Sequence, residues 1–150
     1  MHVSFTRGCT MGGFEFQRLR VFDAAADAAA DVNGLARRIP VAHRALRDQV
    51  SRSSASVALN IAEGADEFRV AEKVRFYRMA RRSAAETAGA LTLLVRFGVF
   101  TPQETERAIK RLNQVAAMLT TMMTSVEGRG APGPGPGPRA PARITSSNHP

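Results

Sequence analysis

The sequence predicts an all-α protein, a bundle of helices around one core. Apolar residues recur at helical spacing through most of the chain. The composition is rich in Ala and Arg, lacks Trp, contains a single Tyr and offers few of the β-branched and aromatic clusters that strands prefer. Its 150 residues fit one domain. We therefore expect a helical bundle at residues 14–127, between an unstructured lead-in at 1–13 and a disordered tail at 128–150.

The lead-in shows no periodicity and ends in two glycines, so we predict no structure for it. The sequence leaves open whether Met1 or Met11 is the true start. The first helix is predicted over residues 16–38, where apolar positions follow helical spacing, and Pro40 ends the segment.

A second helix is predicted to begin between Val41 and Ala45 and to end at Glu63, with Gly64 as a left-handed C-terminal cap. This helix contains four serines, namely Ser51, Ser53, Ser54 and Ser56. Serine is unfavourable in an isolated helix but lets neighbouring helices approach closely. We therefore expect packing against other helices to stabilise this segment.

The third helix is predicted over residues 69–97, with two apolar seams along its length and Gly98 as its cap. Thr101 and Pro102 then predict the N-cap and the first residue of a fourth helix, and Glu104 places an acid in its first turn. The fourth helix should end near Glu127. The alternating Gly and Pro that follow predict an extended, mobile tail.

The second helix carries a polar stripe beside its apolar one. The polar stripe consists of Gln49, Arg52 or Ser53, Ser56, Asn60 and Glu63. The apolar stripe consists of Leu46, Val50, Val57 and Ile61. A helix with two such stripes is expected to be buried on more than one side, which favours a bundle or an assembly over a catalytic pocket.

We predict that the polar stripe forms a buried seam that fixes the order of the helices. Its predicted members are Arg52, Ser56, Asn60, Glu63, Gly64, Ser83 and Glu86. A carboxylate near a helix C-terminus needs a compensating donor, and Arg52 held between Glu63 and Glu86 would supply it. Such an ion pair would mainly determine which helices pack together and would add little net stability. The alternative is a binding or catalytic role for the same residues.

The sequence gives little support to catalysis. A di-iron bundle needs Glu-x-x-His pairs, but no Glu stands three residues before His2, His43 or His149. Glu63 and Glu86 could act as paired carboxylates, yet no nucleophile, phosphate-binding glycine loop or His-centred cluster accompanies them. We therefore predict no enzymatic activity, no cofactor and no metal.

Cysteine content and hydropathy suggest where the protein works. Cys9 is the only cysteine, so neither a disulfide nor a multi-cysteine metal site can form within one chain. No segment approaches the roughly 20 apolar residues that span a bilayer, and the N-terminus lacks the apolar region of a secretory signal. We expect a soluble cytoplasmic protein without a membrane partner.

The net charge of +8 indicates a basic surface, which attracts phosphate backbones without reading their sequence. Cations crowd the third helix and its approach, and the predicted nucleic-acid contacts are Arg69, Lys73, Arg75, Arg78 and Arg82. We predict salt-sensitive, sequence-tolerant binding of RNA or DNA. The alternative is a solvated helix face, with Glu72 as an ion-pair partner, on a structural or protein-binding module.

One motif resembles a known family. It consists of Gln49, Arg52, Ser56 and the run Asn60-Ile61-Ala62-Glu63-Gly64, followed by Phe76, Ala80, Ser83 and Glu86. This combination resembles the small four-helix-bundle proteins encoded within 23S rRNA intervening sequences and elsewhere in bacterial genomes, over residues 14–126. Three sites depart from the family pattern: Ala58 stands where Pro is frequent, Ser51 where a basic residue is frequent, and Ala65-Asp66 where a Gly-Arg pair is usual.

The resemblance implies an up-down antiparallel four-helix bundle that assembles into a ring, a cyclic pentamer in relatives, without known enzymatic activity. The accessory protein of diversity-generating retroelements is similar in fold, and it is a basic pentamer that works with a reverse transcriptase and its RNA. The implied partners are other copies of this chain and RNA or DNA. A neighbouring gene product and a reverse-transcriptase-like protein are alternative partners.

Overall fold

The computed structural model describes residues 13–130, which form four α helices and no strand. The helices are α1 (Arg20–Ala36), α2 (Arg44–Asp66), α3 (Val70–Arg96) and α4 (Pro102–Gly130). This confirms the all-α prediction. The predictions for residues 1–12 and 131–150 lie outside the described residues.

Each helix packs against its two neighbours in the closed order α1, α2, α3, α4 and back to α1, and among the described residues no diagonal pair of helices brings Cα atoms within 8 Å of each other. Consecutive helices are antiparallel. On α2 and α3, for example, Ser53 bonds to Thr87, whereas Ser56, further along the chain, bonds to Ser83. The described chain is thus an up-down antiparallel four-helix bundle.

The start of the first helix differs from the prediction. A 3-10 helix, Glu15–Arg18, comes first, and α1 begins only at Arg20 because Leu19 has an extended backbone. The Phe16 ring packs against Phe22 with 4.5 Å between the ring centroids, which holds this short helix against α1. A second 3-10 helix, Val41–His43, leads into α2.

Gly64 was wrongly predicted to cap α2. It is helical and buried, and α2 continues to Asp66. A Cβ atom at Gly64 would lie 2.7 Å from Cε1 of Tyr77, closer than carbon atoms can approach. The glycine is therefore needed for the close approach of α2 and α3. Two C-terminal carbonyls of α2 are satisfied in another way, since Nζ of Lys73 donates to the Ala65 carbonyl oxygen at 2.9 Å and the Glu67 N–H donates to the Gly64 carbonyl oxygen at 3.4 Å.

The turn between α3 and α4 agrees with the prediction. Gly98 has φ +73°, and the N–H groups of Gly98 and Val99 donate to the carbonyls of Val95 and Leu94. These two bonds form a Schellman motif, in which glycine adopts the left-handed conformation at little cost.

The predicted N-cap of α4 is a capping box. Thr101 N–H donates to Oε2 of Glu104 at 2.8 Å, and Glu104 N–H donates to Oγ1 of Thr101 at 3.4 Å. Arg38 also contacts the Glu104 carboxylate. The Thr101 N–H first, and then Arg38 and the Thr101 hydroxyl, lower the pKa of Glu104 to about 2. At its other end α4 continues to Gly130, beyond the predicted end near Glu127.

The core is built from one aliphatic stripe of each helix. Its largest fully buried side chains are Ile61, Leu91, Leu94, Leu112 and Leu119. Alanines such as Ala25, Ala28, Ala80 and Ala84 are buried among them. Small residues at these positions bring helix axes close together, which explains why polar side chains on α2 and α3 can reach each other directly.

Candidate nucleic-acid interface and interhelical seam

A chain of neutral polar side chains crosses the interface between α2 and α3. Oγ1 of Thr87 lies 2.7 Å from Oγ of Ser53 and 2.8 Å from the carbonyl oxygen of Ser83. Oγ of Ser53 also lies 2.8 Å from the Gln49 carbonyl oxygen. Each hydroxyl has a single proton, so Ser53 and Thr87 can donate only two of these three hydrogen bonds at any one time.

The second half of this chain centres on Ser56. Oγ of Ser56 lies 3.0 Å from Oγ of Ser83, and Nδ2 of Asn60 donates to Oγ and to the carbonyl oxygen of Ser56 at 2.9 and 2.8 Å. Ser83 and Asn60 are buried and Ser56 is half-buried. We call Ser53, Ser56, Asn60, Ser83 and Thr87 the hydroxyl seam. Its polar groups bond to each other and to backbone, so its arrangement suits helix pairing.

The charged residues predicted for this seam lie outside it. Arg52, Glu63 and Glu86 are exposed. Arg52 donates to Oε1 of Gln49 at 3.0 Å, and the Gln49 side chain donates in turn to Glu86. Within residues 13–130 Arg52 forms no ion pair with either glutamate, so the predicted buried pair is absent. Exposure explains this, since an arginine in water gains little from a fixed partner.

Two members of the hydroxyl seam were missed or left undecided by the sequence. Ser53 was only the alternative to Arg52, and Thr87 was not predicted at all. Thr87 follows Ser83 by four residues, so it lies on the same face of α3 one turn later. Extending the stripe by one turn is the signal that would have found it.

The cations predicted to contact nucleic acid all lie at the start or in the first half of α3, but their surroundings differ. Arg69, Arg75, Arg78 and Arg82 are exposed, whereas Lys73 is half-buried and is the residue that caps α2. The Arg69 side chain is in no ion pair within the described residues.

Two of these arginines have acidic partners. Arg75 pairs with Glu72 at 2.9 Å within α3, as the alternative interpretation anticipated, and Arg78 pairs with Glu127 of α4 at 3.0 Å. Arg82 and its neighbour Arg81 are exposed and form no ion pair with any residue of the described chain. Residues 73–85 contain one lysine, four arginines and no acid. The first half of α3 therefore carries a positive surface that its few acidic neighbours only partly neutralise.

Two kinds of feature are absent from the described residues, a metal site and a membrane-spanning helix. No group of three or more His, Cys, Asp or Glu side chains is placed to hold a metal ion. No helix among these residues is both long and apolar enough to cross a membrane.

Comparison with known proteins identifies the fold and the family. The chain is similar to a protein of unknown function from the S23 ribosomal protein family of Bacteroides thetaiotaomicron, known from a crystal structure. The two are 23% identical, with a TM-score of 0.63, and the match covers 69% of this chain and 97% of the other. No curated protein matches the chain. The family model described as 23S rRNA-intervening sequence protein matches residues 17–121, in agreement with the resemblance that the motif around Asn60 and Glu63 indicates. The chain belongs to the 23S rRNA-intervening sequence protein family.

Proposed function

We propose that this protein is a non-enzymatic, ring-forming oligomer whose basic surface binds RNA or DNA without strong sequence preference. The observation that carries the proposal is the acid-free stretch at residues 73–85, which exposes Arg75, Arg78, Arg81 and Arg82. Cations arranged in this way neutralise phosphates and release the counterions bound to them. The binding free energy gained does not depend on base sequence.

The acidic partners of this surface do not prevent such binding. In the pair of Arg75 with Glu72 the side chains are 63% and 40% exposed, and in the pair of Arg78 with Glu127 they are 66% and 52% exposed. Ion pairs this open to water contribute little free energy. A phosphate can therefore replace either carboxylate at small cost.

Self-association is supported by an asymmetric distribution of apolar surface. The exposed large hydrophobic residues include Val41, Leu59, Phe68, Val70, Met79, Leu93 and Phe97. All of these lie in α2, in α3 or directly next to them, and the remaining one, Phe14, precedes α1. Contact with another copy of the chain would remove these exposed apolar side chains of two adjacent helices from water. In a ring, the basic part of α3 would be repeated around the assembly.

The test combines light scattering with a binding titration on the full chain. We expect a mass several times that of the 16.2 kDa chain, and binding of RNA or DNA that weakens steeply as salt rises. The triple variant Arg75→Ala, Arg78→Ala and Arg82→Ala should lose most of this binding.

The matched control removes three exposed arginines elsewhere, with Arg20→Ala, Arg37→Ala and Arg44→Ala. It lowers the net charge by the same amount and should bind almost as well as the wild type. Absence of binding at low salt, or equal losses in the two triple variants, would contradict the nucleic-acid proposal. A monomeric mass would contradict the ring.

The apolar side chains on α2 and α3 also favour a second candidate function, a module that binds another protein, such as a neighbouring gene product or a reverse-transcriptase-like partner. Apolar contacts persist at salt concentrations that remove phosphate contacts. A defined complex with such a partner that survives high salt, together with no binding to nucleic acid, would favour this function over the first.

A further inference from the structure

The strongest unassigned feature is an open groove of about 1070 Å³ between the second half of α3 and the first half of α4. Val95 of α3 and Ile109 and Ala117 of α4 line it with apolar surface. We propose that this groove receives unpaired bases, so that the nucleic-acid ligand is single-stranded. The inference rests on the proposed function, to which it adds a ligand class and a second set of contacts.

Three carboxamides give the groove its chemical character. Gln103, Asn113 and Gln114 are exposed residues of α4 that line it. Within the described chain, none of these three side chains forms a hydrogen bond with another residue. A carboxamide offers a donor and an acceptor side by side, which match the edges of nucleobases. Those edges are open to a protein when the strand is unpaired.

The charge of the groove suits a strand that carries phosphates. Arg96 and Lys110 line it, and neither is in an ion pair within residues 13–130. Glu106 is the one carboxylate among its lining residues. The exposed Arg81 and Arg82 lie on α3, more than two turns before Thr92, the first residue of α3 that lines the groove. A strand with phosphates on these arginines can continue along α3 and place its bases in the groove.

The general spacing of packed helices favours a single strand over a duplex as the occupant of the groove. Adjacent packed helices have axes about 8–10 Å apart, so the depression between them admits one strand. A duplex is much wider, since its major groove alone measures about 12 Å across. A duplex can therefore touch the outer cations of α3 but cannot enter the groove.

A peptide helix is a weaker candidate for the same groove. Helices that bind in grooves insert apolar side chains at helical spacing into a mainly apolar channel. The surface of this groove is also mostly apolar, but three carboxamides without hydrogen-bond partners among the described residues and two cations border it, and an apolar helix face would leave these groups unsatisfied. The larger exposed apolar side chains lie on or beside α2 and α3, outside the groove. The observations favour a polar, negatively charged ligand with flat apolar faces, which describes an unpaired nucleotide.

The test measures fluorescence anisotropy with a labelled single-stranded oligonucleotide and with the duplex of the same sequence, in the same low-salt buffer. We expect the single strand to bind more tightly. The isosteric double variant Asn113→Asp and Gln114→Glu replaces amide donors with charged acceptors. It should weaken single-strand binding about tenfold, the loss that one good base contact entails, while duplex binding changes much less.

Three further variants separate the effect of the groove from the effect of general charge. Asn33→Asp on α1 is exposed, lies outside the groove and should bind like the wild type. Arg81→Ala with Arg82→Ala should weaken binding of both probes. Glu106→Gln removes the carboxylate of the groove and should strengthen single-strand binding.

Each outcome supports or overturns a specific statement. If both probes bind equally, or if the double variant binds the single strand as the wild type does, the groove inference is wrong and the proposed function stands. If neither probe binds at low salt, the proposed function fails together with the inference. If the double variant changes the mass of the assembly in light scattering, the groove is a contact between copies and the inference is overturned.

Discussion

The interface between α2 and α3 and the interface between α1 and α4 are held by different chemistry. The first uses the hydroxyl seam, whose side chains are small and neutral. The second uses ions: Arg107 donates to both carboxylate oxygens of Asp31, at 3.1 and 2.6 Å, and Arg111 lies 3.1 Å from the same carboxylate. The Arg107 guanidinium lies towards solvent, since its side chain is 75% exposed, whereas the Asp31 side chain is 11% exposed.

The difference shows how solvent decides which polar groups a helix interface can use. Inside the α2 and α3 interface a charge would lose its hydration, and a hydroxyl loses much less. At the edge of the α1 and α4 interface water still reaches the arginines, so charged groups are tolerated. The first interface should therefore be sensitive to shape and the second to salt.

The largest expected effect is at Gly64, where shape alone matters. In Gly64→Ala the new Cβ would lie 2.7 and 2.9 Å from two ring carbons of Tyr77, and we expect the free energy of unfolding to fall by about 1–3 kcal/mol. Gly89→Ala is the matched control, because it is also helical but has open space around it. It should raise stability by about 0.5–1 kcal/mol. Urea unfolding measures both, and an increase in both variants would show that the close approach is unimportant.

The next effect is expected at Thr87, which tests the hydroxyl seam without changing shape. Thr87→Val should lower the free energy of unfolding by about 1 kcal/mol, because Ser53 loses a partner in a buried site. Thr92→Val is the control, since its hydroxyl makes the same type of bond to a carbonyl four residues back but is exposed. Equal losses in the two variants would mean that the seam has no special role.

A smaller effect is expected at Asp31, where charge matters. Asp31→Asn should lower the free energy of unfolding by about 0.5–1 kcal/mol at low salt, a value reduced by the exposure of Arg107 to water. The loss should shrink as salt rises, because ions screen the pair in the wild type. Thermal unfolding at two salt concentrations measures this, with Thr87→Val as the reference variant whose loss does not depend on salt. A loss at Asp31 that salt leaves unchanged would contradict the comparison.

The smallest effect concerns acid and Glu104, at the start of α4. The pKa of its carboxyl is lowered in the folded protein from 4.5 to about 2, so the folded state favours the charged form. This contribution is complete above pH 4.5 and is lost as the pH falls towards 2. We expect the melting temperature of Glu104→Gln to depend less on pH in this window than that of the wild type. Glu106→Gln is the matched control, because it removes a carboxylate of α4 that bonds to no other described residue.

The turn elements of the fold could be predicted because their causes are local. Gly98 and the pair Thr101 and Pro102 act on the backbone within a few residues, so the sequence indicates the end of α3 and the start of α4 directly. The role of Gly64 could not be predicted in this way, because it depends on Tyr77 of the next helix. The two residues come together only when α2 and α3 pack against each other.

The polar stripe was predicted in the right place but with the wrong chemistry. Arg52 and Ser53 are adjacent, and adjacent residues in a helix point about 100° apart, so a small error in the assumed rotation of α2 exchanges them. The structure buries Ser53 and exposes Arg52. Periodicity finds a stripe, but only the packing of the neighbouring helix decides which of two adjacent residues belongs to it.

The contact between Gly64 and Tyr77 also limits how this sequence can vary. The shortest contacts of a larger residue at position 64 would be with the ring of Tyr77, and Cβ of Phe76 would follow at 3.0 Å, so a larger residue at position 64 should require a smaller one at position 77. In a library that randomises both, we expect functional clones to retain glycine with an aromatic residue, or to combine a larger residue at 64 with a small one at 77. Positions 64 and 77 are therefore expected to covary, although they lie on different helices.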